Sequence, residues 1–269
     1  MQIQLRRIKR DEISLLREFP PSDWQLDIEK VYIEHNEQDY FYPVVAAIDS
    51  EIAGTGIAII NGNVSWLGTI LVPEKHRNKG IGSSITNHLV EYSKSRGVSS
   101  ILLIATELGL PVYKKLGFKH DLHYLVFKTG QPVTIKCECQ YISQICKADY
   151  DEIIELDFRI SAENRTKLLL NAMNNGVKFK DDTIKGYYLP EFGRGLIIAD
   201  SESAGIELLK YKISKDNPVI HIPETNITGQ EFLESIGYKQ VSKVPRMFLN
   251  QNIDWDSSKV YSRGCGYMG

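Results

Sequence analysis

The chain alternates between short, mostly apolar runs and a segment in which apolar residues recur with helical spacing. Residues 66–72 and 101–104 are runs of the length that buried strands have. Between them, residues 83–92 carry apolar side chains at the three- and four-residue spacing of an amphipathic helix. A polar break at 129–132 precedes another strand-like run that begins at Val133. The pattern predicts strands and helices in alternation, with a division of the chain near its middle.

A basic, glycine-containing loop separates the first of these strands from the helix. It reads Arg77-Asn78-Lys79-Gly80-Ile81-Gly82. Glycines let a ligand approach the backbone, successive N–H groups can point inward, and the positive end of the helix dipole favours anions. The loop therefore predicts a ligand that carries phosphate. Its spacing is that of neither a P-loop nor a dinucleotide fingerprint, and an ordinary surface turn is the alternative interpretation.

A second motif, which includes a tyrosine, lies downstream. It runs from Thr106 through Gly109 and Tyr113 to Gly117-Phe118. The Arg-x-x-Gly-x-Gly loop, which follows a Val-Pro-Glu step, and this tyrosine motif resemble the two signatures of the GNAT N-acetyltransferases. These are the acetyl-CoA pyrophosphate loop and a helix whose tyrosine lies four residues before Gly-Phe. On both signatures, in order and at a family-like separation, the N-terminal half is identified as a member of that family, which usually has Asn at the position of Thr106.

Composition narrows the possibilities further. The 269 residues suffice for two ordinary domains, and 42% hydrophobic residues, 25% charged residues and a net charge of −2 disfavour a nucleic-acid-binding surface. No apolar run approaches the ~18 residues of a membrane span, and no apolar h-region follows the charged start. A cytoplasmic protein is therefore expected. The four cysteines have neither a disulfide-framework nor a zinc-site spacing, so free thiols and no metal are expected.

The second half contains a weaker copy of the tyrosine motif. Gly237-Tyr238 follows Gly117-Phe118 at an offset of 120 residues, and the same offset takes Gly109 to Gly229. A shared offset over a strand, a turn, a helix and a Gly-aromatic pair predicts two copies of one fold. The alternative interpretation is that two unrelated helices ending in Gly and an aromatic residue align by chance.

This second copy lacks the residues that would bind a cofactor and act on it. At the same offset, Asp200 and Glu202 stand in place of the loop glycines. In a poorly solvated site these carboxylates would repel a pyrophosphate by on the order of several kcal/mol. Leu233 stands in place of Tyr113 and has no proton to donate. We therefore expect one active site per chain, in the first half.

Over nearly its full length the chain resembles bacterial tandem-GNAT proteins. The resemblance implies an α/β fold (α+β, mixed sheet): two GNAT-like domains in tandem, each a mixed, mostly antiparallel sheet flanked by helices. It implies a catalytic domain at 1–129, a degenerate GNAT-like domain at 133–250 and a C-terminal tail at 251–269. The residues that carry it are Trp24, Asp27, Trp66, Leu67, Gly68, Ala105, Thr106, Gly109, Leu156, Asp157, Asn164, Arg165, Ala204, Leu208, Leu209, Pro223, Asn226, Arg246 and Met247.

The resemblance also implies a reaction. Acetyl-CoA would be the co-substrate, and the primary amine of a small molecule would attack its thioester directly. Loop N–H groups would hold the pyrophosphate, the preceding strand would pair with the pantetheine arm, and Tyr113 would act as general acid towards the thiolate; a core tyrosine is the alternative interpretation. The cofactor-binding residues expected on this basis are Ile70, Leu71, Val72, Arg77, Asn78, Lys79, Gly80, Ile81, Gly82, Ser83, Thr106 and Gly109.

The sequence does not identify a general base. Residues 63–72, which precede the loop, contain no acid. Glu74 belongs to the Pro-Glu step and is expected at the surface. A water chain is an alternative to a side chain. The acids expected on helices that border the acceptor cleft are Asp27, Glu29 and Glu34.

Two other functions stay open at this point: a non-catalytic acyl-CoA-binding regulator, and a transferase of a larger acyl or aminoacyl group.

The acceptor that we hypothesise is an amino acid or a polyamine. Asp157 either holds the cationic amine of this acceptor or forms a structural pair with Arg165. No nucleic-acid or membrane partner is expected, and both a monomer and a homodimer are open. The C-terminal domain either shapes the acceptor site or mediates dimerisation.

Overall fold

The computed structural model describes residues 2–24, 26–49 and 51–268. The chain divides into two compact units. Unit 1 comprises Met1–His120 and Met247–Asn252, and unit 2 comprises Asp121–Arg246 and Ile253–Gly269. Helices flank the sheets of both units, and the sheet of unit 1 is mixed, which confirms the expected α/β fold class.

The sheet of unit 1 contains both antiparallel and parallel pairs of strands. Its elements in chain order are β1 (Gln4–Arg7), β2 (Phe41–Ile48), β3 (Glu51–Asn61), β4 (Val64–Leu71) and β5 (Ser100–Ile104), joined by residues 247–250 of β12 (Lys239–Asn250). The strand order is β1-β2-β3-β4-β5-β12. Successive strands from β1 to β4 run antiparallel, whereas β4 and β5 run parallel. A parallel pair needs a crossover connection, and the helix that follows the glycine loop supplies it.

The helices of unit 1 pack on this sheet. They are α1 (Ile28–His35), α2 (Ile81–Ser95) and α3 (Leu110–Lys115), with short 3₁₀ turns at Arg10–Leu16, Ser22–Trp24 and Glu74–His76. Helix α2 buries Ile81, Ile85 and Leu89 on one face, and burial of each stabilises the unit by about 1.5–3 kcal/mol. A Cβ atom at Gly56 of β3 would lie 2.7 Å from Cγ2 of Ile85. A side chain at that position would therefore push α2 away from the sheet.

Unit 2 contains the remaining elements. Its strands are β6 (Lys119–Lys128), β7 (Ile142–Gln144), β8 (Val177–Lys180), β9 (Ile184–Leu189), β10 (Leu196–Ala199), β11 (Ile220–Pro223), residues 239–246 of β12, and β13 (Val260–Ser262). Its α-helices are α4 (Tyr150–Ser161), α5 (Thr166–Ala172), α6 (Glu202–Asp216) and α7 (Ile227–Ser235). The strand orders are β13-β10-β9-β8-β7 and β12-β6-β11. Within the described residues, none of the helices of either unit combines the length and apolar character that a membrane crossing needs.

Strands β6 and β12 are exchanged between the two copies of the repeat. Strand β6 follows the last helix of the first copy, but its residues 124–127 lie in unit 2 and pair with β11. Strand β12 follows the last helix of the second copy, but its end lies beside β5 in unit 1. The domains expected from the sequence are linear segments, whereas the compact units interleave. Pairing between strands so far apart in sequence produces no local sequence pattern, so the sequence does not predict the exchange.

The segment after residue 252 belongs to unit 2. Strand β13 pairs antiparallel with β10. The Nζ atom of Lys212 donates to the carbonyls of Arg194 and Gly195 at 2.6 and 2.8 Å and to the Ser262 hydroxyl at 2.8 Å. The hydrogen bond to Ser262 fastens β13 to helix α6.

The predicted repeat is visible in the helix caps. The Thr106 hydroxyl accepts a hydrogen bond from the Gly109 N–H at 3.2 Å. At the offset of 120 residues, Asn226 Oδ1 accepts one from the Gly229 N–H at 2.8 Å. Strands β5 and β11 begin with the same separation. The two halves are therefore copies of one fold.

Candidate active site

The glycine loop, residues 77–82, comprises the end of the connection between β4 and α2 and the first two residues of α2. Asn78 and Gly80 have φ angles of 61° and 77°, a left-handed backbone that glycine adopts without strain and asparagine tolerates. A Cβ atom at Gly80 would meet nothing within 4 Å, and one at Gly82 would have Val72 Cγ2 as its nearest neighbour, at 3.8 Å. Packing therefore does not require glycine at position 82, and the space in front of the loop is open.

The first turn of α2 has the properties that favour an anion. Gly80, its N-cap, gives no side-chain hydrogen bond, and the turn contains no acidic residue. The first N–H groups of a helix have no partner within it, so those of α2 stay available to a ligand. Arg77 and Lys79 are exposed at the same end, Ile81 is buried in the core and Ser83 is half-buried.

The base of the loop is anchored on strand β3. Glu51 pairs with Lys75, and its Oε1 lies 3.5 Å from Nε2 of the buried His76. The hydrogen bond from Lys75, and next to it the nearby His76 imidazole, hold the pKa of the Glu51 carboxyl below its ordinary value. Lys79 Nζ donates to the carbonyl of Lys75 at 2.9 Å. The Lys75–Glu51 pair and the hydrogen bond from Lys79 therefore fix the start of the loop, while His76 is buried beside them.

Strand β4 has a free backbone edge next to the loop. Its parallel pairing with β5 covers residues 64–67, opposite residues 100–103. Strand β4 continues to Leu71, so within the described part of the chain residues 68–71 have no strand partner on that side. Leu71 is buried, while Ile70 and Val72 are half-buried and pack on the core of unit 1. The side chains thus hold the strand in place and leave its backbone groups at the edge.

A β-bulge bends β4 at the start of this free edge. Thr69 and Ile70 of β4 together lie opposite one residue of β3, Gly56. Thr69 has a φ angle of 46°, a left-handed conformation that β-branched residues rarely adopt. Its hydroxyl is 3.3 Å from the hydroxyl of Tyr32 on α1, which is itself 2.8 Å from the Thr55 hydroxyl. A buried polar group of three hydroxyls therefore supports the bulge.

Tyr113 lies on α3 with 8% of its surface exposed. Its ring packs against Gly109, where a Cβ atom would come within 2.6 Å of Cε2 and 3.1 Å of the hydroxyl oxygen. The ring also meets Phe118 edge-on, with centroids 5.9 Å apart. Burial raises the pKa of Tyr113 to about 12. Gly109 thus makes room for the tyrosine, while the predicted cofactor residue Thr106 is exposed and caps the same turn.

The acids considered as general bases have other positions. Asp27 accepts a hydrogen bond from the first turn of α1. Glu29 and Glu34 form ion pairs with neighbouring cations, and Glu74 is exposed. These positions are structural or solvent-facing, so the structure assigns none of the four to a base.

The corresponding region of unit 2 is closed. Only Asp200 and Ser201 join β10 to α6. The Ser201 hydroxyl caps α6 by accepting from the Ala204 N–H at 3.3 Å, and Glu202 stands in the first turn. Asp200 pairs with Arg159 at 2.8 Å. This connection has no room for a phosphate loop.

Asp157 of unit 2 forms a structural pair. Its carboxylate accepts hydrogen bonds from the buried Arg165 guanidinium and from the Tyr187 hydroxyl, and Ser161 donates to it at 3.3 Å. A carboxylate satisfied in this way is not available to an amine. Among the residues that the structure describes, no group of three or more His, Cys, Asp and Glu side chains could hold a metal ion.

The bulge residues were not identified from the sequence. Tyr32, Thr55 and Thr69 are ordinary core-forming residues by type, and no sequence pattern shows a threonine in a left-handed conformation. The glycines at 54 and 56, of which Gly56 lies opposite the bulge, indicate close packing by α2 rather than the bulge itself.

Family comparisons agree with this geometry. The profile of the acetyltransferase (GNAT) family matches residues 10–118, and that of an acetyltransferase (GNAT) domain matches residues 153–262. A Bacillus subtilis protein named as an uncharacterized N-acetyltransferase is 21% identical over 220 residues, which are 75% of each chain.

Solved structures share the fold. A candidate acetyltransferase from Pyrococcus horikoshii has a TM-score of 0.85 at 20% identity, covering 99% of this chain and 96% of its own. A GCN5-related N-acetyltransferase from Anabaena variabilis has a TM-score of 0.62 at 11% identity, covering 93% of this chain and 73% of its own. At these identities the likeness concerns the fold alone. With both halves matched by the family, the chain belongs to the GNAT N-acetyltransferases, a family of transferase enzymes, and carries two GNAT domains in tandem.

Proposed function

We propose that this protein transfers the acetyl group of acetyl-CoA to the primary amine of a small molecule, by direct attack of the amine on the thioester. One observation carries the proposal: in unit 1 the open glycine loop at the uncapped N-terminus of α2 continues directly from the free edge of β4. The two features offer, side by side, a place for a pyrophosphate and a place for an extended arm. The closed connection in unit 2 supports one cofactor site per chain.

The loop fits a pyrophosphate. Backbone N–H groups of residues 78–83 would donate to its oxygens, and Arg77 and Lys79 would add positive charge. Each hydrogen bond to a charged acceptor contributes about 1.5–3 kcal/mol, so a few of them account for micromolar affinity after the losses on binding. The openness of Gly80 and Gly82 leaves room for such close contacts.

The free edge of β4 fits the pantetheine arm. An amide-bearing chain laid along residues 68–71 would exchange main-chain hydrogen bonds with the strand, as an added β-strand does. An N–H group of this edge would also stabilise the negative charge that develops on the thioester oxygen. In this role the backbone of Ile70, Leu71 and Val72 matters more than their side chains.

Tyr113 would assist the departing thiolate. With a pKa of about 12, the phenol stays protonated throughout the neutral range. Because thiols titrate near 8.5, full proton transfer from such a phenol is uphill by about 5 kcal/mol. A hydrogen bond from the phenol to the developing thiolate is therefore the contribution that we expect.

The amine would lose its proton without help from a dedicated side chain. The acids considered above occupy structural or surface positions, so we infer that the acceptor enters as the neutral amine or is deprotonated by water. The acid limb of the rate profile should then follow the pKa of the amine used. An acceptor series of graded pKa tests this inference, since a side-chain base would hold the limb at one pH.

Calorimetric titration with acetyl-CoA is the first test. We expect about one molecule bound per chain, and loss of binding in an Arg77→Ala, Gly82→Glu double variant. A thiol-release assay with a panel of small amines then tests turnover. Tight binding without release for any amine would favour the acyl-CoA-binding regulator, and tighter binding of longer acyl thioesters would favour a transferase of a larger group. Two molecules per chain would contradict the closed second copy.

A further inference from the structure

The bulge in β4 holds a conformation that needs support. Thr69 is 7% exposed and has a φ angle of 46°, and a β-branched residue in this region is strained. Such a residue persists only where its surroundings fix it. The bulge also determines the direction in which the free edge, residues 68–71, leaves the sheet. Whatever fixes Thr69 therefore fixes the edge.

Three hydroxyls and a carbonyl fix Thr69 through hydrogen bonds of defined direction. Thr55 donates its one hydroxyl proton to the carbonyl of Val44 at 2.9 Å. Tyr32 must therefore be the donor to Thr55 in their 2.8 Å contact, because Thr55 has no second proton. The proton of Tyr32 is then engaged, so Thr69 is the donor to Tyr32 across 3.3 Å. The order is Thr69 to Tyr32 to Thr55 to the Val44 carbonyl.

This chain of hydrogen bonds can hold a residue but cannot carry a proton away. It ends at a backbone carbonyl, which is not a base at physiological pH, and among the described residues no carboxylate or imidazole belongs to it. Tyr32 itself is fully buried, and burial raises its pKa to about 12. A role as the missing general base is thus excluded for this group, and a mechanical role is left.

We propose that Tyr32 is a positioning residue for the reaction. Its hydroxyl latches Thr69 in the left-handed conformation and thereby keeps the free edge of β4 in the geometry that the thioester arm requires. The proposal rests on the proposed function for its kinetic consequence. Its structural consequence, an ordered bulge, does not depend on that function.

The test is a double-mutant cycle of Tyr32→Phe and Thr69→Gly. Tyr32→Phe keeps the ring in the core and removes only the hydroxyl, while Thr55 retains its bond to Val44. Thr69→Gly permits the positive φ without a latch. Tyr40→Phe is the matched control, because Tyr40 is also a buried tyrosine and its hydroxyl contacts His35 Nδ1 at 2.9 Å and not Thr69.

We expect Tyr32→Phe to lower kcat by about fivefold to tenfold, the loss that follows from one net hydrogen bond. Affinity for 3′-phosphoadenosine 5′-diphosphate, which has the pyrophosphate but no arm, should stay within twofold, as should all parameters of Tyr40→Phe. In the Thr69→Gly background, Tyr32→Phe should change kcat by less than twofold. Additive effects of the two changes would overturn the proposal. If Thr69→Gly folds poorly, Thr69→Asn, which also tolerates a positive φ, replaces it.

Amide hydrogen exchange supplies a readout that does not need turnover. Exchange at residues 68–71 should accelerate by about tenfold in Tyr32→Phe and stay unchanged in Tyr40→Phe. Unchanged exchange in Tyr32→Phe would overturn the latch whatever the activity shows. A wild-type protein that turns over no amine would instead contradict the proposed function. The exchange result alone would then test whether Tyr32 holds Thr69 in place.

Discussion

The two copies of the GNAT fold contain a helix of equal length with different N-termini. Helices α2 and α6 span 15 residues each. Helix α2 follows a long loop and starts at Gly80 without a side-chain cap, whereas α6 starts two residues after its strand and is capped by Ser201. One copy leaves its first N–H groups without a side-chain cap, and the other caps one of them from its own chain.

The edges of the strands that precede these two helices differ in the same way: one is unpaired and the other is paired. In unit 1 the last part of β4 has a free edge, whereas in unit 2 the corresponding strand, β10, pairs with β13. Arg263, directly after β13, donates its N–H to the carbonyl of His221 on β11 at 2.8 Å. Strand β13 therefore lies between the two strands that correspond to β4 and β5. The second copy fills with its own backbone the gap that the first copy keeps open.

What the copies share concerns folding. Gly117 and Gly237 end the corresponding helices α3 and α7 with φ angles of 90° and 92°, which only glycine adopts easily. Tyr113 and Leu233 are both buried at the same position of their helices. The second copy therefore retains the buried side chain at this position but lacks the hydroxyl. The comparison teaches that the turns and the core of this repeat tolerate less change than its ligand site.

The largest effect should come from removing the side chain that anchors β13, the strand in the filled gap, to the core of unit 2. Tyr261 on β13 is 1% exposed, and its ring would be 2.2 Å from a Cβ atom at Gly205. Tyr261→Ala should lower the free energy of unfolding by about 3–5 kcal/mol, because it leaves a cavity. Urea unfolding followed by circular dichroism measures this loss. Tyr261→Phe is the control and should retain most of the stability; a loss below about 1 kcal/mol in Tyr261→Ala would contradict the tight packing.

Giving the first copy the charge of the second should nearly abolish cofactor binding. Gly82→Glu introduces at the first turn of α2 the carboxylate that Glu202 brings to α6. Repulsion of about 3 kcal/mol at 5 Å and an effective dielectric constant near 20 weakens acetyl-CoA binding by about 100-fold or more. Gly82→Gln has the same size without the charge. Equal acetyl-CoA affinities of the two variants in a calorimetric titration would show that the size of the side chain, and not its charge, causes the loss of binding.

Removing the hydroxyl that distinguishes the two tyrosine positions should affect turnover alone. Tyr113→Phe should lower kcat by about 10- to 100-fold, the loss that follows from one hydrogen bond to a charged acceptor, with acetyl-CoA affinity unchanged. Because the protonated phenol is the active form and its pKa is about 12, kcat of the wild type should not fall through Tyr113 ionisation between pH 8 and about 10. A thiol-release assay measures both. Full activity of Tyr113→Phe would return this residue to a packing role.

The smallest effect should be a gain. The buried hydroxyl of Tyr238 has no hydrogen-bond partner within the described residues, and its counterpart in the first copy is Phe118. Tyr238→Phe should raise the free energy of unfolding by about 1 kcal/mol, since a buried unsatisfied hydroxyl is removed. Thermal unfolding checks the prediction. A lower melting temperature would mean that the hydroxyl is satisfied by bound water.

The sequence predicts those parts of the molecule that local pattern determines. The glycine loop, the Tyr113 helix and the repeat all depend on residues within about one strand-turn-helix unit, where spacing and residue type carry the signal. The exchange of β6 and β12 and the insertion of β13 depend on pairing between distant strands, which hydrophobic pattern does not specify. The bulge at Thr69 combines both problems, because a left-handed threonine contradicts its own local preference and depends on Tyr32 from another element.

The exchanged strand also sets an order of events during synthesis. The first copy cannot complete its sheet until residues 247–250 have left the ribosome, 126 residues after the first segment of unit 1 ends. At about 5–20 residues per second, translation of that stretch takes roughly 6 to 25 seconds. Throughout this time the edge of β5 is without its neighbour and can pair with other nascent chains. The half that contains the glycine loop, although made first, is finished last, and chaperone demand should be highest while the second half is still being translated.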